Sequence, residues 1–109
     1  MQHRMNMHKE PFLLVKSGQK KIETRLFDDK WKGIKVGDEI IFVSRENKEE
    51  ITVVVQALRT FKKFQDLFLD FEPKLFGKNT KEELFSIYDY YTKDEENKFG
   101  VIAIIFKLS

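Results

Sequence analysis

Within residues 20–25, three cations surround one carboxylate: Lys20, Lys21 and Arg25 flank Glu23. The stretch opens on Gly18-Gln19 and reads Gly18-Gln19-Lys20-Lys21-Ile22-Glu23-Thr24-Arg25. On a strand, successive side chains alternate between faces, which puts Lys21, Glu23 and Arg25 on one side and Lys20, Ile22 and Thr24 on the other. A carboxylate between two cations is held ionised and oriented. Lys21 and Arg25 then keep donors for phosphate oxygens, and a guanidinium engages these in bidentate fashion. Such chemistry suits RNA or a nucleotide. The alternative reading of the same residues is a solvated edge strand whose charges discourage aggregation. If the site is catalytic, Lys20 and Glu23 are the groups able to move protons there.

A base also needs an apolar face to stack on. Tyr88 and Tyr91 share one side of a helix with Leu84 and read as core, whereas Tyr90 is off that stripe and is free to stack. Trp31, between Lys30 and Lys32 in a basic loop, is a second stacking candidate, or else a lid over one end of the fold. Other chemistry is sparse. His3 and His8 are five residues apart on an extended segment and face opposite ways, so they are not a metal pair. Asp28-Asp29 beside Lys30 reads as a solvated loop. Asp94-Glu95-Glu96 favours a helix N-terminus, with Glu96, next to the tyrosines, the member to suspect of more. There is no phosphate loop and no dinucleotide fingerprint, and neither a metal nor a cofactor is expected.

With no Cys among 109 residues, disulfides, thiolate catalysis and Cys-based zinc sites are excluded, which fits a reducing compartment. No apolar run approaches the roughly 18 residues of a membrane span, and no signal-peptide core is visible. A cytoplasmic protein of one domain, residues 1–109, is the expectation. The net charge of +2 says little, but its distribution is uneven. Cations dominate from Lys16 to Lys35 and carboxylates from Glu82 to Glu96.

The elements that must position these residues follow from pattern. Gln2 to Met7 is extended. Glu10 to Gly18 is a short helix with Pro11 at its start and Gly18 at its stop. Lys20 to Leu26 alternates as a strand. Glu39 to Ser44 and Ile51 to Arg59 are β-prone runs joined by a polar connection, an antiparallel pair. Phe61 to Phe71 has helical spacing, with apolar residues at 61, 64, 67, 68 and 71. Thr80-Lys81-Glu82-Glu83 opens a helix that runs through Tyr91, and Thr92-Lys93-Asp94-Glu95 opens another. Val101 to Leu108 is an almost wholly apolar strand, buried enough to be central. The order predicts an α+β fold: a small sheet curled as a barrel, with short helices packed at its openings.

Four blocks, taken in order, resemble the ASCH domain family. They are Glu10-Pro11-Phe12; Gly18-x-Lys20-x-Ile22-Glu23-x-Arg25-Leu26; Val36-Gly37-Asp38-x-Ile40-x-Phe42; and Tyr88-x-Tyr90-Tyr91-Thr92-x-x-Asp94-Glu95-Glu96, leading into Phe99-Gly100-Val101. The resemblance spans nearly the whole chain. It implies a PUA-like β-barrel, an association with RNA binding and RNA metabolism, and a cleft bordered by the Gly-x-Lys stretch. Some small members of that family are amidohydrolases of N4-acetylcytidine, using a Lys, a Thr three residues later and a Glu from the helical half. The resemblance puts the Lys at Lys20 but sets Glu23 at the Thr position. A slip of one residue restores the spacing with Lys21 and Thr24, yet breaks the match at Gly18, Ile22 and Arg25. Gly77 falls at the place of the third residue, with Glu72, Glu82 and Glu83 only nearby. An RNA- or nucleotide-binding domain is therefore the first expectation, and a hydrolase of a modified nucleoside or a ribonuclease the second.

Overall fold

The structure, a computed structural model, describes all of residues 1–109. The chain forms β1 (Gln2–Met7), α1 (Lys9–Lys16), β2 (Ile22–Leu26), β3 (Glu39–Ser44) and β4 (Glu50–Phe61). It continues through α2 (Phe64–Leu69), a 3-10 turn (Pro73–Phe76), α3 (Lys81–Leu84), a second 3-10 turn (Phe85–Asp89), α4 (Lys93–Phe99) and β5 (Val101–Leu108). No helix is long and apolar enough to cross a membrane.

The five strands make one sheet in the order β1-β3-β4-β5-β2. β1 runs parallel to β3, and the β3–β4, β4–β5 and β5–β2 pairs are antiparallel. A register shift between Val55 and Ala57 bends β4, the kind of bulge that curls a sheet. The curl carries the sheet into a half-barrel. Its two outer strands, β1 and β2, approach each other without a ladder of backbone hydrogen bonds, so the barrel has a seam.

The apolar run of β5 has a direct explanation. Its alternate residues bury into two separate cores, one on each face of the sheet. Ile102, Ile104 and Phe106 join Met5, Phe12, Val15, Trp31, Phe42 and others inside the curl. Val101 and Ala103 join Ile22, Leu26, Phe64, Phe68, Phe76 and Leu84 beneath the helices on the outside. Because β2 lies across from β5, the same division applies to it: Glu23 opposes Ile104 and Arg25 opposes Ile102, while Thr24 opposes Ala103. Two charged side chains thus take positions on the inner face of the barrel, beside the seam.

Three expectations about the elements need correction. The helix expected over Phe61 to Phe71 is only Phe64–Leu69, because Arg59, Thr60 and Phe61 remain in the ladder opposite Ala103, Ile102 and Val101. The tyrosine helix is one α-turn followed by a 3-10 turn, with Phe85 and Tyr88 stacked at 6.5 Å, as the threefold repeat of that turn requires. The strand expected from Lys20 begins at Ile22, since the Lys20 amide bonds back to Leu14 O and the Lys21 amide to Leu75 O.

Candidate functional site

A cleft of about 530 Å³ opens at the seam. β1 supplies one wall through Met5, Asn6 and Met7, and α1 continues it through Glu10, Pro11 and Leu14. β2 supplies Glu23, Thr24 and Arg25, and the opposite wall comes from Phe76, Gly77 and Lys78 with Leu84, Ile87, Tyr90 and Tyr91. An edge strand has no neighbour on its free side, so both faces of β2 reach this space.

Lys20, Glu23 and Arg25 meet here in one buried cluster. Glu23 Oε1 is 3.8 Å from Lys20 Nζ, and Oε2 is 3.9 Å from Arg25 Nη2. The Thr24 amide donates to Glu23 Oε1 at 2.9 Å. Lys20 Nζ donates to the carbonyl of Phe76 at 2.9 Å, which ties β2's approach to the helical half. Gly77 makes that approach possible: its φ is +83°, and a Cβ there would come within 2.9 Å of Leu14 Cδ1. Across the seam, Arg25 Nη2 reaches the Met5 sulfur at 2.8 Å, and Nη1 is 3.4 Å from the Tyr91 hydroxyl.

Burial and charge act against each other in this cluster. Burial draws the Lys20 ammonium below its ordinary value; Glu23 opposes the change, while Arg25 and Lys78 reinforce it. For Glu23 burial alone would raise the carboxyl, but Lys20 and Arg25 overcome it and hold the group ionised below the usual carboxylate range. Arg25 shows the same contest: burial disfavours its charge, and Glu23, then Tyr91, more than restore it. A lysine whose charge is costly beside a carboxylate whose charge is secure is a donor set next to an acceptor, and the lysine is a latent base.

The faces expected from strict alternation do not hold at the start of the stretch. Lys20 lies outside the strand and turns inward to meet Glu23 and Arg25. Lys21 turns away, is exposed, and lines a second, more open depression on the other side of Gly77. Trp31 is corrected outright as a stacking residue. It is 3% exposed in the inner core, with His3 at 5.8 Å and Lys30 over its ring, so its faces are already covered. Tyr90 is 68% exposed at the cleft rim, its ring 6.4 Å from that of His8.

Several lining residues carried no local signal. Arg45 sits in the β3–β4 connection and Lys78 in the turn after Phe76, and only the tertiary fold brings them to the cleft that Arg25 also lines. Glu96 is buried, but in a structural role away from the cleft. Its Oε2 accepts from the Phe64 amide at 2.6 Å and from the Tyr88 hydroxyl at 2.8 Å. Burial, then Glu96, pushes the Tyr88 phenol up to about 12. Asp38 accepts from His3 at 2.9 Å and from the Lys35 amide at 3.0 Å, with the N-terminal amine at 3.4 Å. That set holds its carboxyl down to about 2, with the His3 contact the largest cause. No group of three or more His, Asp or Glu side chains is arranged to hold a metal ion.

The chain is similar in structure to the hypothetical protein PH0355, with 32% identity, complete coverage of both chains and a TM-score of 0.87. It is also similar to protein PF0455 from Pyrococcus furiosus, with 30% identity over 99% of this chain and 97% of the other, and a TM-score of 0.70. A more distant likeness, at 15% identity and a TM-score of 0.71, is to a mutant of ZmASCH from Zymomonas mobilis, over 97% of this chain and 67% of that one. The ASCH domain of Lactobacillus crispatus shares the fold at 12% identity, with a TM-score of 0.65 over 98% and 79% of the two chains. No curated protein matches the chain in sequence. The curled sheet with short helices is thus a PUA-like fold, one often linked to RNA binding. The model of the ASCH domain matches residues 5–109, and this chain belongs to that family.

Proposed function

We propose that the seam cleft binds one nucleotide unit of RNA, with the base inside and the phosphate at the rim. The observation that carries this reading is the mutually paired cluster of Lys20, Glu23 and Arg25 lining a cleft of nucleotide size. Its volume lies within the roughly 300–1,000 Å³ of small-molecule sites. A buried ion pair adds little that apolar side chains of the same volume would not, so stability alone does not account for charge on the inner face of a barrel. A nucleobase edge does, because it presents donors and acceptors side by side. Glu23 accepts from an exocyclic amine, and Lys20 and Arg25 donate to a carbonyl or ring nitrogen. At the rim, Lys30, Arg45 and Lys78 form no ion pair within the protein and are suited to phosphate. Tyr90 offers an open ring face for stacking.

Titration with the four 5′-mononucleotides, followed by amide chemical shifts, tests the reading. Shifts are expected at Thr24, Arg25, Gly77 and Tyr90. Tyr90→Ala should weaken binding by about tenfold, the loss of one stacked base, and Arg25→Ala by at least as much. Spectra unchanged at millimolar nucleotide, together with no retention of short RNA, would overturn it.

A second reading, hydrolysis of an acylated nucleobase, is favoured by one observation. Lys20, with its lowered ammonium, and Thr24 line the same cleft although they differ in strand position. A lysine whose ammonium is disfavoured gives up its proton more readily and can serve as base for a hydroxyl in the same cleft. The only carboxylates in the cleft are Glu10 and Glu23, so the acid comes from β2 or α1 and not from the helical half. Incubation with N4-acetylcytidine and with short RNAs, resolved by chromatography, decides this reading; intact substrates at high protein concentration refute it.

A further inference from the structure

Resting on the cleft reading, we infer that the ligand is a single-stranded polynucleotide, and that its adjacent phosphates follow the second, more open depression carrying Lys21 and Lys74. That depression is not a separate site. Glu10, Leu14, Gly77 and Lys78 line both it and the seam cleft, so the two join across the Leu14–Gly77 contact. α1 walls the combined groove along its length, and the segment from Lys74 to Asn79 walls the far side.

Charge follows the groove. Lys21, Lys74 and Lys78 project there against Glu10 alone, and none of the three forms an ion pair with the protein. Cleft and depression together hold seven of the chain's 20 Lys and Arg residues but only two of its 18 Asp and Glu residues. The remaining residues include 13 cations and 16 carboxylates, so the groove is positive while the rest of the chain is net negative. Such a channel draws a polyanion along its length. The two parts also differ in kind. The seam cleft has a buried carboxylate and an open tyrosine ring, suited to a base; the depression has only two hydrophobic lining residues and offers ammonium groups, suited to backbone. A base held in the cleft must be unpaired, since a duplex does not offer its Watson–Crick edge, and this selects single strands.

The test compares each 5′-mononucleotide with the matching octanucleotide, for the parent and for a Lys21→Gln/Lys74→Gln variant, at several salt concentrations. Neither lysine lines the seam cleft, so the variant should bind mononucleotide as the parent does. The parent should bind the octanucleotide at least tenfold more tightly than the mononucleotide, and the variant should lose most of that gain. Its salt dependence on the octanucleotide should be shallower by about 1.4 in logarithmic slope, two phosphate contacts at roughly 0.7 each. Mononucleotide binding with no gain from length, or a gain that survives in the variant, would overturn the extended groove and leave the cleft reading intact. An RNA duplex competing as well as the single strand would overturn the single-strand assignment. If neither mononucleotide nor octanucleotide binds, the cleft reading fails and this inference fails with it.

Discussion

Glu23→Gln removes one charge and almost no volume, so it isolates the electrostatics of the buried cluster. The amide oxygen can still accept from the Thr24 amide, as Oε1 does now at 2.9 Å. What is lost is attraction to Lys20 at 3.8 Å and to Arg25 at 3.9 Å. At an effective dielectric of about 20, each contact amounts to about 4 kcal/mol before desolvation. Keeping a carboxylate out of water costs several kcal/mol, which glutamine largely avoids. The difference leaves a net destabilisation of about 3–5 kcal/mol, the range for a broken buried pair. Lys20 can soften the loss by releasing its proton, because its ammonium is already disfavoured; Arg25 cannot.

Trp31 is the single tryptophan and is 3% exposed, so its fluorescence reports unfolding in urea. With a slope of about 1.5 kcal/mol per molar, the midpoint should fall by roughly 2–3 M. The gap between parent and variant should close in acid. Glu23 titrates below its ordinary 4.5, so its contribution is full above that pH and is lost as pH falls through the folded value. A variant within about 1 kcal/mol of the parent, at unchanged slope, would refute the reasoning, since that is the scale of exposed pairs. Full additivity of Glu23→Gln with Lys20→Met would refute it independently.

Two further outcomes follow from the same geometry. Lys20 is lowered from 10.5, so between its folded value and 10.5 the unfolded chain binds the extra proton and the Lys20 contribution to stability rises with pH. The difference in urea midpoint between parent and Lys20→Met should show that rise, and a pH-independent difference would contradict it. Glu96→Ala strips the Phe64 amide of its acceptor and should cost about 1–3 kcal/mol. It should also bring the Tyr88 phenol part of the way back from about 12, burial accounting for the rest. Alkaline difference absorbance reads this directly, and an unmoved phenol would contradict it.

The sequence made the strands legible wherever both faces of a residue's surroundings agreed with its type. Val101 to Phe106 is apolar throughout because both of its faces are covered, and the β3–β4 pair announced itself by β-branched runs around a polar connection. The helical half was less legible. The spacing of Phe61, Phe64, Leu67, Phe68 and Phe71 does mark one buried surface, since all five pack in the outer core. It does not mark one helix, because pairing with β5 holds Phe61 in the sheet. The charged cluster was legible in composition, but the direction of its side chains was misread. Alternation assigns Lys21 to Glu23 and Arg25, but alternation applies only inside a ladder, and residues 20 and 21 bond to α1 and to the segment before Phe76. Trp31 misled because its basic sequence neighbours are exposed while its ring is not. Arg45 and Lys78 had no local signal at all, as their proximity is created by the fold.

The unpaired seam has a mechanical consequence. In a closed barrel, widening the bore means breaking a ladder of backbone hydrogen bonds, and the cost is shared around the ring. Here the cleft is the gap itself. Between β1 and β2 the gap is crossed by a side-chain contact, Arg25 with Met5, while Arg25 with Tyr91 and Lys20 with Phe76 tie β2 to the helical half. β1 and β2 can therefore part or draw together while β3, β4 and β5 keep every bond between them. The domain behaves as a spring clip: a stiff back of three strands, two compliant jaws, and the charged cluster on the inside of one jaw. Amide exchange should accordingly be slowest along the back and fastest on the jaws.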